Sequence, residues 1–146
     1  MPAQTPPKAI FPTPQDAEAA FYDAIERADL EALMTVWAED EEIVYISPGG
    51  PRMIGYASVR DAWRRIFESG QRLVVTLSQP VILQGMLVSV HSLCEQIGLR
   101  DGEAGQTAPL VATNVYVRGA LGWRLLLHHA SPAPPESQNE IPKTLH

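Results

Sequence analysis

The sequence predicts an α+β fold whose helices and strands are segregated along the chain. Three observations carry this. Apolar residues recur at helical spacing up to Gly70. After Gly70 the pattern changes to long stretches rich in Val, Leu, Ile and Thr, separated by glycine turns. The chain has 146 residues and 13 prolines, and nine of those prolines fall in residues 1–14 and 132–146. One domain is therefore expected over residues 15–131, between flexible proline-rich tails at 1–14 and 132–146.

Each element follows from its residues. Thr13-Pro14-Gln15-Asp16 reads as a helix start: Thr13 caps, Pro14 suits the first helical position, and Asp16 completes the capping-box spacing. Ala17, Ala20, Phe21, Ala24, Ile25 and Ala28 then form one apolar face. Asp29 caps a second, shorter helix with Leu30, Leu33, Met34 and Trp37 on one side. Residues 39–42 are too acidic to bury and read as a loop. Ile43–Ile46 is a short strand, stopped by the turn Ser47-Pro48-Gly49-Gly50-Pro51. A third helix over residues 56–69 carries Val59, Ala62, Trp63, Ile66 and Phe67, with Gly70 as its stop. Residues 71–84, 86–98, 109–118 and 122–131 read as four consecutive antiparallel strands joined by hairpins. Pro80 marks a bulge or an edge in the first of them. Helices first and strands last argue for separate layers, not a βαβ unit.

Composition excludes several classes. A single Cys94 rules out an internal disulfide framework and a cysteine-rich zinc module. No apolar run reaches the ~18 residues needed to cross a membrane. The N-terminal segment has no apolar signal core, so a cytoplasmic location is expected. The span 15–131 holds nine arginines against 15 acids. Ten of those acids and only Arg27 lie in residues 16–42, which reads as a solvated helical surface. An acidic chain without a basic stripe argues against nucleic-acid binding. Leu110–Val117 and Leu125–Leu127 are apolar on both faces, so the sheet needs a second partner beyond the helices. A homodimer through the outer sheet face is the expected solution.

The order of elements resembles the nuclear transport factor 2-like superfamily. Local signatures place it in the SnoaL-like group, close to the association domain of calcium/calmodulin-dependent kinase II. The matching pieces are Phe21 to Trp37 with the acidic loop, Pro48-Gly49-Gly50-Pro51 through Gly55, the helix with Trp63 and Phe67, Glu95, Thr113-Asn114-Val115-Tyr116, and Gly122-Trp123-Arg124 through His128-His129-Ala130-Ser131-Pro132. The resemblance implies a cone: a strongly curved antiparallel sheet wrapped around three helices, with an internal pocket and dimerisation through the outer face. Close relatives often carry His before the Pro-Gly-Gly turn, where this chain has Ser47.

Candidate chemistry centres on Glu95, set in the otherwise core-like strand Ser92–Ile97. A carboxyl there is either a pocket acid or base with a raised pKa or half of a structural ion pair with Arg118 or Arg124. His128 and His129 are adjacent on a strand and must point to opposite faces. Alternation groups His129 with Leu127, Leu125 and Trp123, and His128 with Leu126 and Arg124; which group faces the pocket depends on bulges, and His129 is taken as the pocket histidine. His91 reads as structural or interfacial. Asn114 can orient Glu95 or a ligand carbonyl, or bond to backbone. Tyr22, Trp37, Tyr45, Ser47 and Trp63 complete the candidate pocket, with Arg52 and Tyr56 at its rim. No metal site and no cofactor are expected, and Cys94 has no cationic neighbour that would activate it. Two functions follow. One is a binding or oligomer-forming module with a pocket for a small, largely apolar organic ligand. The alternative is an isomerase, cyclase or dehydratase using Glu95 or His129 as acid/base.

Overall fold

A computed structural model of the chain describes residues 9–39, 42–102 and 107–134. Of the tails expected at 1–14 and 132–146, residues 1–8 and 135–146 lie outside the described residues, as do Asp40, Glu41 and residues 103–106. Among the described residues there are three helices: α1 (Pro14–Arg27), α2 (Leu30–Val36) and α3 (Tyr56–Glu68). The strands are β1 (Val44–Ile46), β2 (Arg52–Ile54), β3 (Leu73–Gln84), β4 (Val88–Leu99), β5 (Thr107–Gly119) and β6 (Gly122–Pro132). They form one curved, unclosed sheet in the order β2-β1-β6-β5-β4-β3. The α+β cone expected from the sequence is the fold observed.

The local signals act as their chemistry requires. The Thr13 hydroxyl accepts from the Asp16 amide at 3.0 Å, and Pro14 occupies the first helical position. Ala28 ends α1 in the left-handed region, and Asp29 then accepts from the Ala32 amide at 3.0 Å to start α2. Pro80 sits where both sequence readings put it. β3 is an edge strand, its register against β4 shifts between Ser78 and Val81, and Gln79 has φ 52°.

Two features differ from expectation. Arg52–Ile54, given no element between the turn at Ser47–Pro51 and the third helix, forms β2 and pairs antiparallel with β1. The sheet is also not wholly antiparallel, because β1 runs parallel to β6. A three-residue strand leaves almost no periodicity to detect, and its partner is far away in sequence. The stretch before α1 also joins the sheet. Phe11 forms a parallel bridge with Gly122, and the Trp123 amide donates to the Phe11 carbonyl at 2.9 Å. Gly122 has φ 87°, and a Cβ there would overlap the Phe11 carbonyl.

The helices lie in the concave face. Phe21, Leu33, Val36, Trp37, Ile43, Val59, Tyr116 and Leu125 are fully buried there. The convex face is different. Along β4 and β5 alternate residues are buried, and the intervening outward positions include Val88 and Val111, both exposed. Val81 and Leu83 on β3 are 58% and 67% exposed.

Candidate functional site

α1 places Glu18 and Tyr22 one turn apart, facing the sheet. Opposite them β4 presents Ser89, His91 and Glu95, β5 presents Asn114 and Tyr116, and β6 presents His128. All six of these strand residues are buried. The eight side chains form one hydrogen-bonded seam. Tyr22 Oη donates to Glu95 Oε2 at 2.6 Å and accepts from Asn114 Nδ2 at 2.9 Å. Asn114 Oδ1 accepts from His128 Nδ1. That pairing assigns the Nδ1–H tautomer to His128 and leaves Nε2 as a lone-pair acceptor. Neither His128 Nε2 nor Glu95 Oε1 makes a hydrogen bond among the described residues.

At one end the seam opens into a pocket of about 340 Å³. Its polar contributors are Tyr22, Tyr45, Ser47, Glu95 and His128, and its walls are Ile25, Pro48, Trp63, Ile66, Leu73, Ile97, Ala108, Leu110 and Ala130. Tyr45 stacks on His128 with ring centroids 5.9 Å apart and planes at 14°. It also lies 4.8 Å from Trp63, centroid to centroid.

Burial sets the protonation states. It raises the Glu95 carboxyl, and the negative charge of Glu18 raises it further, against the opposing pull of the Tyr22 hydrogen bond. Burial drives His128 down to about 3, with His129 adding to the effect. Tyr45 is pushed up to about 12 by burial, and Tyr22 well above its ordinary range by burial and by Glu95. At neutral pH the pocket therefore offers a neutral imidazole acceptor, two phenols and a carboxyl that holds its proton unusually well.

The candidate residues named from sequence divide as follows. Tyr22, Tyr45, Ser47, Trp63 and Glu95 line the pocket together. Asn114 stands behind its wall, fully buried, orienting Tyr22 and His128. Trp37 does not line it. It lies in the core against Phe21 and borders a separate groove of about 560 Å³ beside Tyr56, Arg118 and Arg124. His129 is not the pocket histidine: it is exposed, and His128 takes the inward position. The reason is a register shift between β5 and β6 at Val115/Tyr116, where Tyr116 pairs with Leu125 and Val115 with Leu127. The extra residue inverts the alternation beyond Leu125. Glu95 pairs with neither Arg118 nor Arg124; the Arg124 guanidinium bonds to backbone carbonyls of Trp123 and Ala9. Sequence reasoning missed Glu18 and Tyr116. Glu18 was counted among the solvated acids of α1, although its spacing of four from Tyr22 places both on one helix face. Among the described residues no three His, Cys, Asp or Glu side chains are grouped to hold a metal ion, and no helix is long and apolar enough to cross a membrane.

The model of the SnoaL-like domain family matches residues 15–135. Among solved structures, one provisionally named a calcium/calmodulin-dependent protein kinase type II association domain, from Thiobacillus denitrificans, is 37% identical. The match covers 86% of this chain and 98% of that one, with a TM-score of 0.75. A protein provisionally named a dehydratase of the NTF2-like family, from Streptomyces avermitilis, is 28% identical over 81% of this chain and 91% of its own, with a TM-score of 0.73. An NTF2-like protein of unknown function from Pseudomonas putida, 18% identical over 87% and 89% of the two chains, shares the fold with a TM-score of 0.73. Among curated proteins, none matches this chain.

Proposed function

Because the chain belongs to the SnoaL-like domain family, we propose that its pocket takes up a small, largely apolar organic molecule with one hydrogen-bonding group. The carrying observation is Glu95. It is 2% exposed, yet one oxygen lacks a partner among the described residues at the edge of an apolar cavity. A ligand's carbonyl or hydroxyl satisfies that oxygen, while Trp63, Ile66 and Leu110 contribute apolar contact. No cofactor takes part, and the cytoplasm is the proposed location.

The test uses cyclohex-2-enone as a probe, with binding followed by Trp fluorescence. Glu95→Leu keeps the volume and removes the polar anchor. We expect its affinity to fall roughly tenfold, the worth of one hydrogen bond to a buried group. Unchanged affinity would refute the assignment.

The pairing of a carboxyl whose pKa burial raises with an imidazole acceptor favours a second reading, a proton-transfer enzyme. Glu95 gives its proton to a ligand carbonyl oxygen while His128 Nε2 takes one from a neighbouring carbon. The imidazolium then returns its proton to a different carbon, and the enol returns its own to Glu95. The net reaction is an isomerisation that consumes no other reagent. Deuterium exchange into cyclohex-2-enone in D2O, read by NMR, checks it. Glu95→Gln should slow the exchange by about 100-fold or more, and equal rates would exclude the step.

The outer sheet face supports a homodimer. Its exposed Val81, Leu83, Val88 and Val111 form an apolar surface, and the 37% identical relative bears the name of an association domain. A second copy of this chain is the proposed occupant. Sedimentation at micromolar concentration should give a dimer, and Val111→Asp should raise its dissociation constant by at least about tenfold, since a buried unpaired charge is costly. A monomeric wild type would end this reading.

A further inference from the structure

Glu18 touches no part of the pocket, yet its carboxylate has an unusual set of partners. One oxygen, Oε2, accepts from His91 Nδ1 at 2.8 Å, from Tyr116 Oη at 2.9 Å and from Asn114 Nδ2 at 3.4 Å. Three converging donors suit a carboxylate anion. His91 turns its other nitrogen to Ser89 Oγ at 3.0 Å, so its ring is fully used. On the far side of Asn114 and Tyr22 lies Glu95, which has one donor only. The Asn114 amide divides its two protons between Glu18 Oε2 and Tyr22 Oη, and Tyr22 passes a hydrogen bond to Glu95. The two carboxyl groups therefore end a single buried chain, with unequal provision of donors. Two acids so placed do not ionise independently: the better-solvated one keeps the charge and the other keeps the proton.

We propose that Glu18 is a positioning residue that keeps Glu95 protonated, so that the pocket presents a hydrogen-bond donor to its ligand. This rests on the reading of Glu95 as the polar anchor of the pocket, and it explains why a fold would commit Asn114, Tyr116 and His91 to a carboxylate that never meets the ligand. The groups facing the pair are accounted for from each packed element: Tyr22 on α1, His91 on β4, Tyr116 on β5, His128 on β6 and Tyr45 on β1. Among the described residues no Arg or Lys side chain bonds into the seam, and the group paired with Glu18 is the His91 imidazole. The direction agrees with the contribution of Glu18 to the raised Glu95 carboxyl.

The test is a side-chain carboxyl titration of the full chain labelled with ¹³C-glutamate, read by NMR, with resonances assigned through Glu95→Gln and Glu18→Gln. In the unsubstituted chain Glu95 should titrate above the ordinary Glu range. Removing the neighbouring negative charge makes Glu95 easier to ionise. Glu18→Gln should therefore lower the Glu95 midpoint by about one pH unit, a tenfold change in acidity, while Glu18→Asp should retain most of the elevation. An unmoved Glu95 midpoint in folded Glu18→Gln overturns the proposal. If that variant does not fold, Glu18→Leu takes its place, with the same expected fall in the Glu95 midpoint and the same overturning result. An ordinary Glu95 midpoint in the unsubstituted chain overturns the pocket reading as well, whereas a raised midpoint that ignores Glu18 overturns only this link.

Discussion

Acidification from pH 7 to pH 4 is expected to cost the fold roughly 3 kcal/mol through one side chain, His128. In the folded chain this imidazole is buried, bonded through Nδ1 to Asn114 and stacked on Tyr45, and its pKa is held down to about 3. In the unfolded chain it takes up a proton near pH 6.5. A base whose folded-state pKa is depressed contributes stability that is complete above the unfolded value. That stability drains away as the pH falls from about 6.5 towards 3, because only the unfolded chain gains the proton. Glu95 acts in the opposite sense. Its carboxyl is raised in the fold, so its contribution is best in acid and is lost as the pH rises from the ordinary Glu range through its folded value. Glu95 therefore does not account for the acid-side loss. Urea denaturation at both pH values checks this, with His128→Gln as the comparison. The amide can still donate to Asn114 but does not titrate, so its stability should be nearly level over this part of the acid range. Equal slopes for the two chains would show that another group drives acid unfolding.

The second large effect is Phe21→Ala, expected to destabilise the chain by about 3–5 kcal/mol. Phe21 is fully buried on α1. Its ring lies edge-on to Tyr22 at 5.0 Å, Trp63 at 5.9 Å and Trp37 at 6.0 Å, and sits 5.1 Å from His128. Alanine leaves a cavity bounded by rings from α1, from the residue that caps α2, from α3 and from β6. Large planar neighbours anchored on four separate parts of the chain cannot easily collapse into that space, so the cavity term should persist. The same ring supports Tyr22 and His128 from below, so enone affinity should fall with stability. Chemical denaturation at pH 7 measures the first effect, and a loss under about 1.5 kcal/mol would show that the cluster relaxes around the gap.

These predictions depend on residues that were legible in the sequence to different degrees. Helix starts at Thr13 and Asp29, the turn at Ser47–Pro51 and the strand periodicity after Gly70 are local chemistry, and they appear in the fold close to where the residues indicate. Glu95 was legible because a carboxyl among core residues contradicts its surroundings. Tyr22, Tyr45, Ser47 and Trp63 came with the apolar pattern that positions them. Three things were not legible. The inward histidine depends on a register shift set jointly by β5 and β6. β2 depends on pairing with β1, and β1 in turn lies parallel to a strand more than 80 residues away in sequence. Trp37 shares a helical stripe with core residues, and that stripe does not say which cavity it borders. Glu18 shows the same limit from the other side. On α1 it looks like one more surface acid, and only the approach of β4 and β5 turns it into the acceptor for three buried donors.

The interruption in β3 bears on the proposed homodimer. β3 ends the sheet with a long apolar row and a backbone edge facing outward, the arrangement that invites another chain to zip on as a further strand. Pro80 has no amide hydrogen to offer along that edge, and the left-handed turn at Gln79 puts the strand out of step with any straight partner. Fibre-like growth along the sheet is obstructed at its most exposed border. In the proposed homodimer, contact through the outer sheet face would instead close on itself and stop.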